Sequence, residues 1–146
     1  MTVHISTDPD DIDLDMLHSL LVNAYWCEGI PRDVMEKSVR NSVPFSVMHN
    51  GDFVGFARLV TDHSTFAYLC DVIIEEDHRG QGLGHQLVRT VNEWMEEHQI
   101  RTALLLTRDA QELYAAHDWV HFPDSSRVMR YRDRITDFYR THFRRI

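Results

Sequence analysis

The chain has 146 residues, enough for one domain and too few for two ordinary ones, and its 43% hydrophobic and 26% charged residues are ordinary for a globular protein. The net charge of -8 argues against a general nucleic-acid binder. No apolar run approaches the about 18 residues of a transmembrane helix, and the N-terminus lacks the features of a secretory signal. With only two cysteines and ten scattered histidines, we expect a cytoplasmic protein without a membrane segment, a disulfide framework or a metal.

The chain opens with a predicted strand and two predicted helices. Residues 3–6 form a short first strand. Apolar residues at helical spacing from Leu14 to Tyr25 follow a run of acids and predict a helix with those acids at its positive end. Pro31 is well placed to open a second helix that continues through Val39.

A strand-rich segment follows the two helices. Residues 45–48 and 52–61 are predicted strands joined at Asn50-Gly51, a dipeptide typical of tight hairpins. Residues 66–74 are nearly all apolar or aromatic, which predicts a central strand covered on both faces.

The second half alternates between strands and helices. A polar, glycine-rich loop at residues 75–84 leads into a long amphipathic helix. Residues 102–107 predict a buried strand, residues 110–116 a short helix and residues 128–132 a last strand. With no repeat and no linker, we expect one α/β domain over residues 1–146.

Charge is distributed unevenly along the chain. The first 30 residues hold six acids and no lysine or arginine, whereas the last 20 hold seven arginines. Aromatic residues interleave with the arginines of the tail, residues 133–146, so we expect the tail to dock on its own domain or on a second subunit in a homodimer. The alternative is that the two ends are solvated and pair with each other.

The loop between the long strand and the amphipathic helix carries the strongest functional signal. Backbone N–H groups at a helix start lack intrahelical partners, lie at the positive end of the helix dipole and hold phosphate groups well. Glycines there permit close approach of the backbone and positive φ. Arg79 adds a full charge, while Gln81 and His85 add hydrogen-bond donors. The structural alternative is a glycine-rich turn that only caps the helix.

Two other phosphate-binding motifs fail by spacing. A P-loop ends in Gly-Lys-Ser/Thr, but Gly84 is followed by His85 and Gln86. A dinucleotide fingerprint needs a glycine three residues after Gly82, where His85 stands.

The segment Arg79-x-x-Gly82-x-Gly84 resembles the Arg/Gln-x-x-Gly-x-Gly/Ala motif of the GNAT superfamily of N-acetyltransferases. The elements around it, over residues 45–119, resemble those of small stand-alone bacterial members. The resemblance implies a mixed central sheet of about six to seven strands flanked by about four helices, with two splayed parallel strands forming an acetyl-CoA cleft. It also implies transfer of an acetyl group from acetyl-CoA to an amine of a small molecule or protein.

The resemblance also implies where acetyl-CoA binds. Its pantetheine amides would pair with the exposed backbone edge of the motif strand, much as an added strand would. Its diphosphate would lie on the loop amides. The residues concerned are Val72, Ile73, Ile74, Arg79, Gly80, Gln81, Gly82, Leu83, Gly84 and His85.

Tyr114 matches the family tyrosine, which implies that it donates a proton or a hydrogen bond to the departing thiolate. An ordinary core aromatic is the alternative. The residues His117, Asp118 and Trp119 replace an apolar residue, glycine and phenylalanine of the family segment; aspartate tolerates left-handed geometry, so the turn can survive. We expect the carboxylate of Asp109 to cap the short helix.

For the acceptor amine, Asp71 is the first candidate to act as base or to hold the ammonium, and Glu28 is the second. A structural carboxylate is the alternative for Asp71. The resemblance implies that Tyr25, Trp26 and Arg32 help to wall the acceptor site, although Tyr25 could belong to the core. Arg58 could bind an acceptor carboxylate, with a surface salt bridge as the alternative.

A second class of function stays open at this stage. The chain could be a sensing module that keeps the coenzyme A site and has lost catalysis, although the presence of Tyr114 favours an enzyme. Direct attack on the thioester needs no covalent intermediate on the protein, so Cys70 is predicted to be a small buried residue rather than a nucleophile.

Overall fold

The described chain is built on a five-stranded sheet in the order β1-β2-β3-β4-β5. The structure is a computed structural model and describes residues 2–131 and 138–139. The strands are β1 (Val3–Ser6), β2 (Val43–His49), β3 (Asp52–Thr61), β4 (Phe66–Ile74) and β5 (Thr102–Leu105). The helices are α1 (Leu14–Leu21), α2 (Arg32–Arg40), α3 (Leu83–Glu97) and α4 (Gln111–Ala115), with short 3-10 turns at Pro9–Asp11, Glu76–His78 and Ser125–Arg127.

The first four strands pair antiparallel, and β5 pairs parallel to β4. Parallel neighbours need a crossover connection, which α3 supplies. The sheet is therefore mixed, as expected, and β4 is internal with β3 on one side and β5 on the other. The last paired residues of β4 and β5 are Leu69 and Leu105, and beyond them the two chain segments separate.

The hairpin between β2 and β3 confirms the Asn-Gly prediction. Asn50 and Gly51 have φ angles of 51° and 88°, and His49 pairs with Asp52 across the turn. Two successive positive φ angles match the twist of a two-residue hairpin, and asparagine followed by glycine tolerates them best.

Two apolar clusters cover the two faces of the sheet. On one face α3 packs its buried Leu87 and Val91 against Phe45 of β2 and Leu59 of β3. On the other face the core residues come from α1, α2 and the opposite side of β3, and Tyr139 packs against them. The largest almost fully buried side chains of this second cluster are Leu17, Leu21, Met35 and Phe56.

The sheet has fewer strands in the described residues than the six to seven expected. Within that part of the chain, residues 128–131 form no strand, because they are exposed and no neighbouring strand pairs with them. Arg132 and the tail at residues 133–146, apart from residues 138–139, lie outside the described residues. None of the helices in the described ranges has the length and apolar character needed to cross a bilayer.

Gly55 of β3 is predicted to tolerate no larger side chain. A Cβ built there would lie 2.7 Å from Ile74 Cδ1 and 3.0 Å from the carbonyl oxygen of Ile73. We expect Gly55→Ala to lower the free energy of unfolding by about 1–3 kcal/mol in denaturant titrations, because a central strand must shift. Gly84→Ala is the control, since its Cβ would meet Leu113 at 3.7 Å, an ordinary contact. Equal losses in the two variants would contradict the prediction.

Candidate active site

The separation of β4 from β5 opens a cleft of about 780 Å³. The end of β4 forms one wall, the segment after α1 forms another, and the beginning of α3 and α4 complete it. About half of the residues predicted for the site therefore line one cleft, whereas Gly80, Gln81, Gly82, Leu83 and His85 of the loop are not among its lining residues. The predicted residues that line the cleft are Tyr25, Trp26, Val72, Ile73, Ile74, Arg79, Gly84 and Tyr114.

The loop before α3 has the backbone geometry of an anion site. Gly80 and Gly82 have φ angles of 76° and 81°, and a Cβ at either position would meet no atom within 4 Å. Gly82 caps α3 without a side-chain hydrogen bond, and the first intrahelical bond runs from the N–H of Gln86 to the carbonyl of Gly82, 3.1 Å. The preceding amides thus lie at the positive end of the 15-residue helix without an intrahelical acceptor.

Arg79 connects the end of β4 to this loop. Its Nε donates a hydrogen bond to the carbonyl oxygen of Ile74, 2.9 Å away. The guanidinium is exposed and lines the cleft, so a positive charge lies where the strand edge meets the helix start. Leu83, in contrast, buries its side chain in the core and offers the site only its backbone.

Tyr114 is the most buried titratable group of the cleft, with 8% of its surface exposed. Burial raises its pKa to about 12, and the neighbouring charges of Tyr25 and Asp109 act in the same direction. Its ring packs edge-on against Trp119. Tyr114 therefore keeps its phenolic proton throughout the neutral range and can donate a hydrogen bond there.

The turn after α4 survives the replacement of glycine, as expected. Asp118 has a φ of 70°, and the N–H groups of His117 and Trp119 both donate to the carbonyl oxygen of Tyr114, at 2.9 and 3.2 Å. Asn92 of α3 holds this turn: its Nδ2 donates to the carbonyl of His117 and its Oδ1 accepts from Trp119 Nε1. Sequence reasoning missed Asn92, although a tryptophan in place of phenylalanine brings an N–H that needs a partner.

The expectation that Asp109 caps α4 is wrong. The residue before the helix is Ala110, and no side chain caps it. The side chain of Thr107 makes a similar hydrogen bond just before the helix: its Oγ1 accepts from the N–H of Ala110, 3.0 Å away. Asp109 instead lines the cleft beside Tyr114.

Asp71 lies at the irregularity in the register of β3 and β4 and has a φ of 55°. One carboxylate oxygen accepts from Trp26 Nε1 at 3.0 Å and the other from Arg58 Nε at 2.5 Å, while Arg58 also donates to Ser42 Oγ. The side chains of Asp71 and Arg58 are only 8% and 18% exposed. Burial alone would lower the pKa of Arg58, but the Asp71 carboxylate outweighs it and the pKa is raised.

These contacts favour a positioning role for Asp71, because a carboxylate paired with an arginine and an indole N–H is held in place. Neither Asp71 nor Arg58 is among the residues that line the cleft, and Glu28 is not among them either. The base role of Asp71 or Glu28 and the acceptor-binding role of Arg58 stay predictions.

The aromatic wall of the cleft is joined to the opposite rim by a cation–π contact. The rings of Tyr25 and Trp26 meet edge to face with their centroids 5.0 Å apart, and Arg108 Cζ lies 3.7 Å from the centroid of the Tyr25 ring. Arg108 belongs to the segment between β5 and α4 and precedes Asp109, which lines the cleft, so the contact links two segments that border it. Sequence reasoning missed this arginine, because nothing local marks a cation–π partner.

Comparison with known proteins places this geometry in a family. The family model of the acetyltransferase (GNAT) family matches residues 14–119. A "Putative acetyltransferase" of Gibberella zeae is 29% identical over 131 residues, covering 75% of this chain and 74% of that protein. The crystal structure of "a putative acetyltransferase belonging to the gnat family" from Xanthomonas campestris pv. campestris has 30% identity and a TM-score of 0.88, covering 94% of this chain and 97% of that chain. The chain belongs to the acetyltransferase (GNAT) family, which confirms the resemblance seen in the sequence.

A more distant structure shares the fold and contains the coenzyme. The N-acetylglutamate synthase from Neisseria gonorrhoeae, complexed with coenzyme A and N-acetyl-glutamate, has 16% identity and a TM-score of 0.64, covering 80% of this chain and 28% of that chain.

Within the described residues, no group of three or more histidines, cysteines, aspartates and glutamates is arranged to hold a metal ion.

Both cysteine thiols are predicted to be unreactive in the folded protein. Burial raises the pKa of Cys27 and of Cys70 to about 12, and the Asp71 carboxylate adds to the effect. Because the thiolate is the nucleophile, we expect almost no reaction with a chromogenic disulfide reagent at pH 8, and two reactive thiols after unfolding in guanidinium. Cys70 is only partly buried, not fully buried as expected; its rapid native labelling, detected by mass spectrometry of peptides, would refute the prediction that it is unreactive.

Proposed function

We propose that the protein transfers the acetyl group of acetyl-CoA directly to an amine of a small molecule or protein. The observation that carries the proposal is the cleft bounded by the end of β4, the start of α3 at Gly84, the segment after β5 and the phenol of Tyr114. A long, flexible thioester with a diphosphate at one end fits such a shape and such a charge distribution. Coenzyme A in the distantly related Neisseria structure supports the same ligand on this fold.

Each part of acetyl-CoA has a suitable partner in the cleft. Among the described residues, β4 has no strand partner on the β5 side beyond Leu69, so the backbone of Val72 and the N–H of Ile74 would meet the pantetheine amides, while the Ile74 carbonyl accepts from Arg79 Nε. The diphosphate would lie on the amides between Gly80 and His85, where the helix dipole and the exposed guanidinium of Arg79 favour negative charge. Ile73 lines the cleft beside them and packs into the second apolar cluster.

Two atoms gain negative charge during the reaction and must be stabilised: the oxygen of the acetyl carbonyl and the sulfur of the leaving thiolate. A neutral amine attacks the acetyl carbonyl carbon, and the N–H of Val72 would stabilise the oxygen as it gains charge. The new C–N bond forms, the C–S bond breaks and the electron pair remains on sulfur. A proton leaves the amine and the thiolate gains one, so the net reaction yields an amide and the free thiol of coenzyme A.

The high pKa of Tyr114 defines how it assists the leaving thiolate. An ordinary thiol has a pKa of about 8.5, well below the value of about 12 for Tyr114. Full proton transfer from the phenol to sulfur is therefore uphill, whereas a hydrogen bond from the phenol to the developing thiolate is favourable. We assign Tyr114 this hydrogen bond, with the proton supplied in the end by the amine through a base or water.

The acceptor amine would enter along the aromatic wall. Tyr25 and Trp26 line the cleft, and aromatic faces attract ammonium groups. The pair of Asp71 and Arg58 holds Trp26 through its indole N–H. Asp71 remains the first candidate for the base, with Glu28 second, and removal of the ammonium proton precedes attack.

The function is tested by mixing the protein with acetyl-CoA and a panel of amines and measuring the release of free coenzyme A. Acceptor-dependent release is expected. Binding of acetyl-CoA without release for any amine of a broad panel would contradict an enzymatic role.

Gly82→Asp is predicted to abolish coenzyme binding, because it puts a carboxylate and a strained backbone where the diphosphate lies. Acetyl-CoA should raise the melting temperature of the wild type but not that of the variant. Gly51→Asp is the matched control, since its φ of 88° is also positive and its Cβ also meets open space. Gly51→Asp should melt at a lower temperature than the wild type yet retain the increase in melting temperature produced by acetyl-CoA. An undiminished increase in Gly82→Asp would show that the loop is not part of the binding site.

Tyr114→Phe is predicted to lower kcat by about 10–100-fold and to change the Kd of acetyl-CoA by less than about twofold, since only a hydrogen bond to the developing thiolate charge is lost. Steady-state turnover assays measure kcat, and isothermal titration calorimetry measures the Kd of acetyl-CoA. Tyr68→Phe serves as control, because Tyr68 is a partly buried tyrosine of β4 that does not line the cleft. Unchanged kcat in Tyr114→Phe would show that the phenol has no part in the reaction.

A further inference from the structure

Two histidines connect the first turn of α3 to the turn that follows α4. His85 Nδ1 and His117 Nε2 lie 2.9 Å apart, a hydrogen-bond distance, and the centroids of the two rings are 5.1 Å apart. His117 stands where the GNAT segment around the family tyrosine has an apolar residue, and an apolar side chain could not form this bond. The contact is therefore a feature of this chain that the shared fold does not require.

The backbone on both sides of the contact is held in place. The N–H of His117 donates to the carbonyl oxygen of Tyr114 at 2.9 Å, and its own carbonyl oxygen accepts from Asn92 Nδ2 at 2.8 Å. His85 lies in the first turn of α3, which begins directly after Gly82. The half-buried ring of His117 therefore reaches the exposed His85 from a backbone that hydrogen bonds fix.

His85 belongs to the segment whose amides would hold the diphosphate of acetyl-CoA. Like Gly80 and Gly82 of that segment, it is exposed and does not line the cleft. Its Nδ1 is engaged with His117, so its second ring nitrogen, Nε2, is the one that can meet a phosphate oxygen. A diphosphate oxygen accepts hydrogen bonds and donates none, so Nε2 must carry a proton to bind it.

The contact with His117 supports two forms of His85 that carry a proton on Nε2. In the neutral form, His117 Nε2–H donates to His85 Nδ1, and the proton of His85 lies on Nε2. In the imidazolium form both nitrogens of His85 carry protons, and Nδ1 donates to a neutral His117. The hydrogen bond at one ring nitrogen thus decides the protonation of the other. A third form, with the only proton of His85 on Nδ1, offers a phosphate no donor, so the ligand selects against it.

We propose that His117 is a positioning residue for the coenzyme: its hydrogen bond to His85 Nδ1 orients the His85 ring so that Nε2–H donates to the diphosphate. This role rests on the proposed acetyl-CoA site and adds to it a side-chain donor that a second side chain holds. A charge-assisted hydrogen bond is roughly twice as strong as a neutral one. The diphosphate therefore favours the imidazolium form of His85.

The other charged groups around the pair do not engage it. Those closest to the two histidines along the elements that carry them are two cations and two anions, Arg79, Arg89, Glu112 and Asp118. Within the described residues none of the four forms an ion pair with either histidine. The diphosphate is thus the charge to which the pair responds. Its affinity should fall as the pH rises through the range in which histidine loses its proton, ordinarily around a pKa of about 6.5.

The pH dependence of binding tests the proposal, with dephospho-CoA as the probe. Dephospho-CoA keeps the diphosphate and lacks the 3′-phosphate, whose own second pKa of about 6 would otherwise contribute. Isothermal titration calorimetry should show a Kd that rises about three- to tenfold from pH 6 to pH 8, because the imidazolium is lost. His85→Gln keeps a donor that does not titrate, so its Kd should change little over this range. His121→Leu removes an exposed histidine of the same segment and is the control; it should behave as the wild type.

Two substitutions of His117 separate positioning from a structural role. His117→Leu restores the residue type of the family segment, so it should fold, as circular dichroism will check. We expect it to weaken dephospho-CoA binding about threefold or more, because the His85 ring is no longer held. His117→Gln should retain a Kd close to that of the wild type, since its amide can donate to or accept from His85 Nδ1. A merely structural contact would lower the melting temperature of His117→Leu without changing the Kd.

The results that overturn this role differ from those that overturn the proposed function. Equal Kd values in the wild type and His117→Leu, or the wild-type pH dependence in His85→Gln, would overturn the role while acetyl-CoA binding stands. A loss of affinity in His117→Leu for coenzyme A but not for dephospho-CoA would move the contact to the 3′-phosphate and overturn the assignment to the diphosphate. A wild type that binds neither ligand at any pH would overturn the role and the proposed function together.

Discussion

The parting of two parallel strands is the constraint on which the site depends. β4 and β5 stay paired only as far as Leu69 and Leu105, and from there β4 continues beside β3 while its other edge pairs with no strand of the described residues. The same divergence leads one chain segment into the glycine loop before α3 and the other into the helix that carries Tyr114. The edge of β4, the start of α3 and the phenol of Tyr114 therefore meet where the two strands diverge, and this divergence sets the direction of the cleft.

Much of this arrangement could be predicted from local sequence signals. The hairpin at Asn50-Gly51, the long internal strand and the glycines before α3 are each fixed by conformational preferences of a few neighbouring residues, and each was found where it was expected. The left-handed turn at Asp118 belongs to the same group, because its requirement is a single φ angle. Such features need no knowledge of distant parts of the chain.

The remainder depends on contacts between segments far apart in sequence. The partners of Asp71, namely Trp26 and Arg58, come from a helical connection and from another strand, so its carboxylate could not be distinguished in advance from a free one. Arg108 and Asn92 act across the cleft and across a helix–turn contact, and neither is marked by its neighbours. The last predicted strand failed for a related reason: a suitable residue pattern forms a strand only when another strand pairs with it, and none of the described strands pairs with residues 128–131.

α3 contacts the site at two points along its length. Its first turn faces the expected diphosphate. Asn92 lies nine residues further along, or about 14 Å at 1.5 Å per residue, and its amide hydrogen-bonds to the turn that follows α4. These hydrogen bonds connect the helix that faces the expected diphosphate to the turn behind Tyr114. Any coupling that this connection carries between coenzyme binding and the position of the phenol acts equally in both directions.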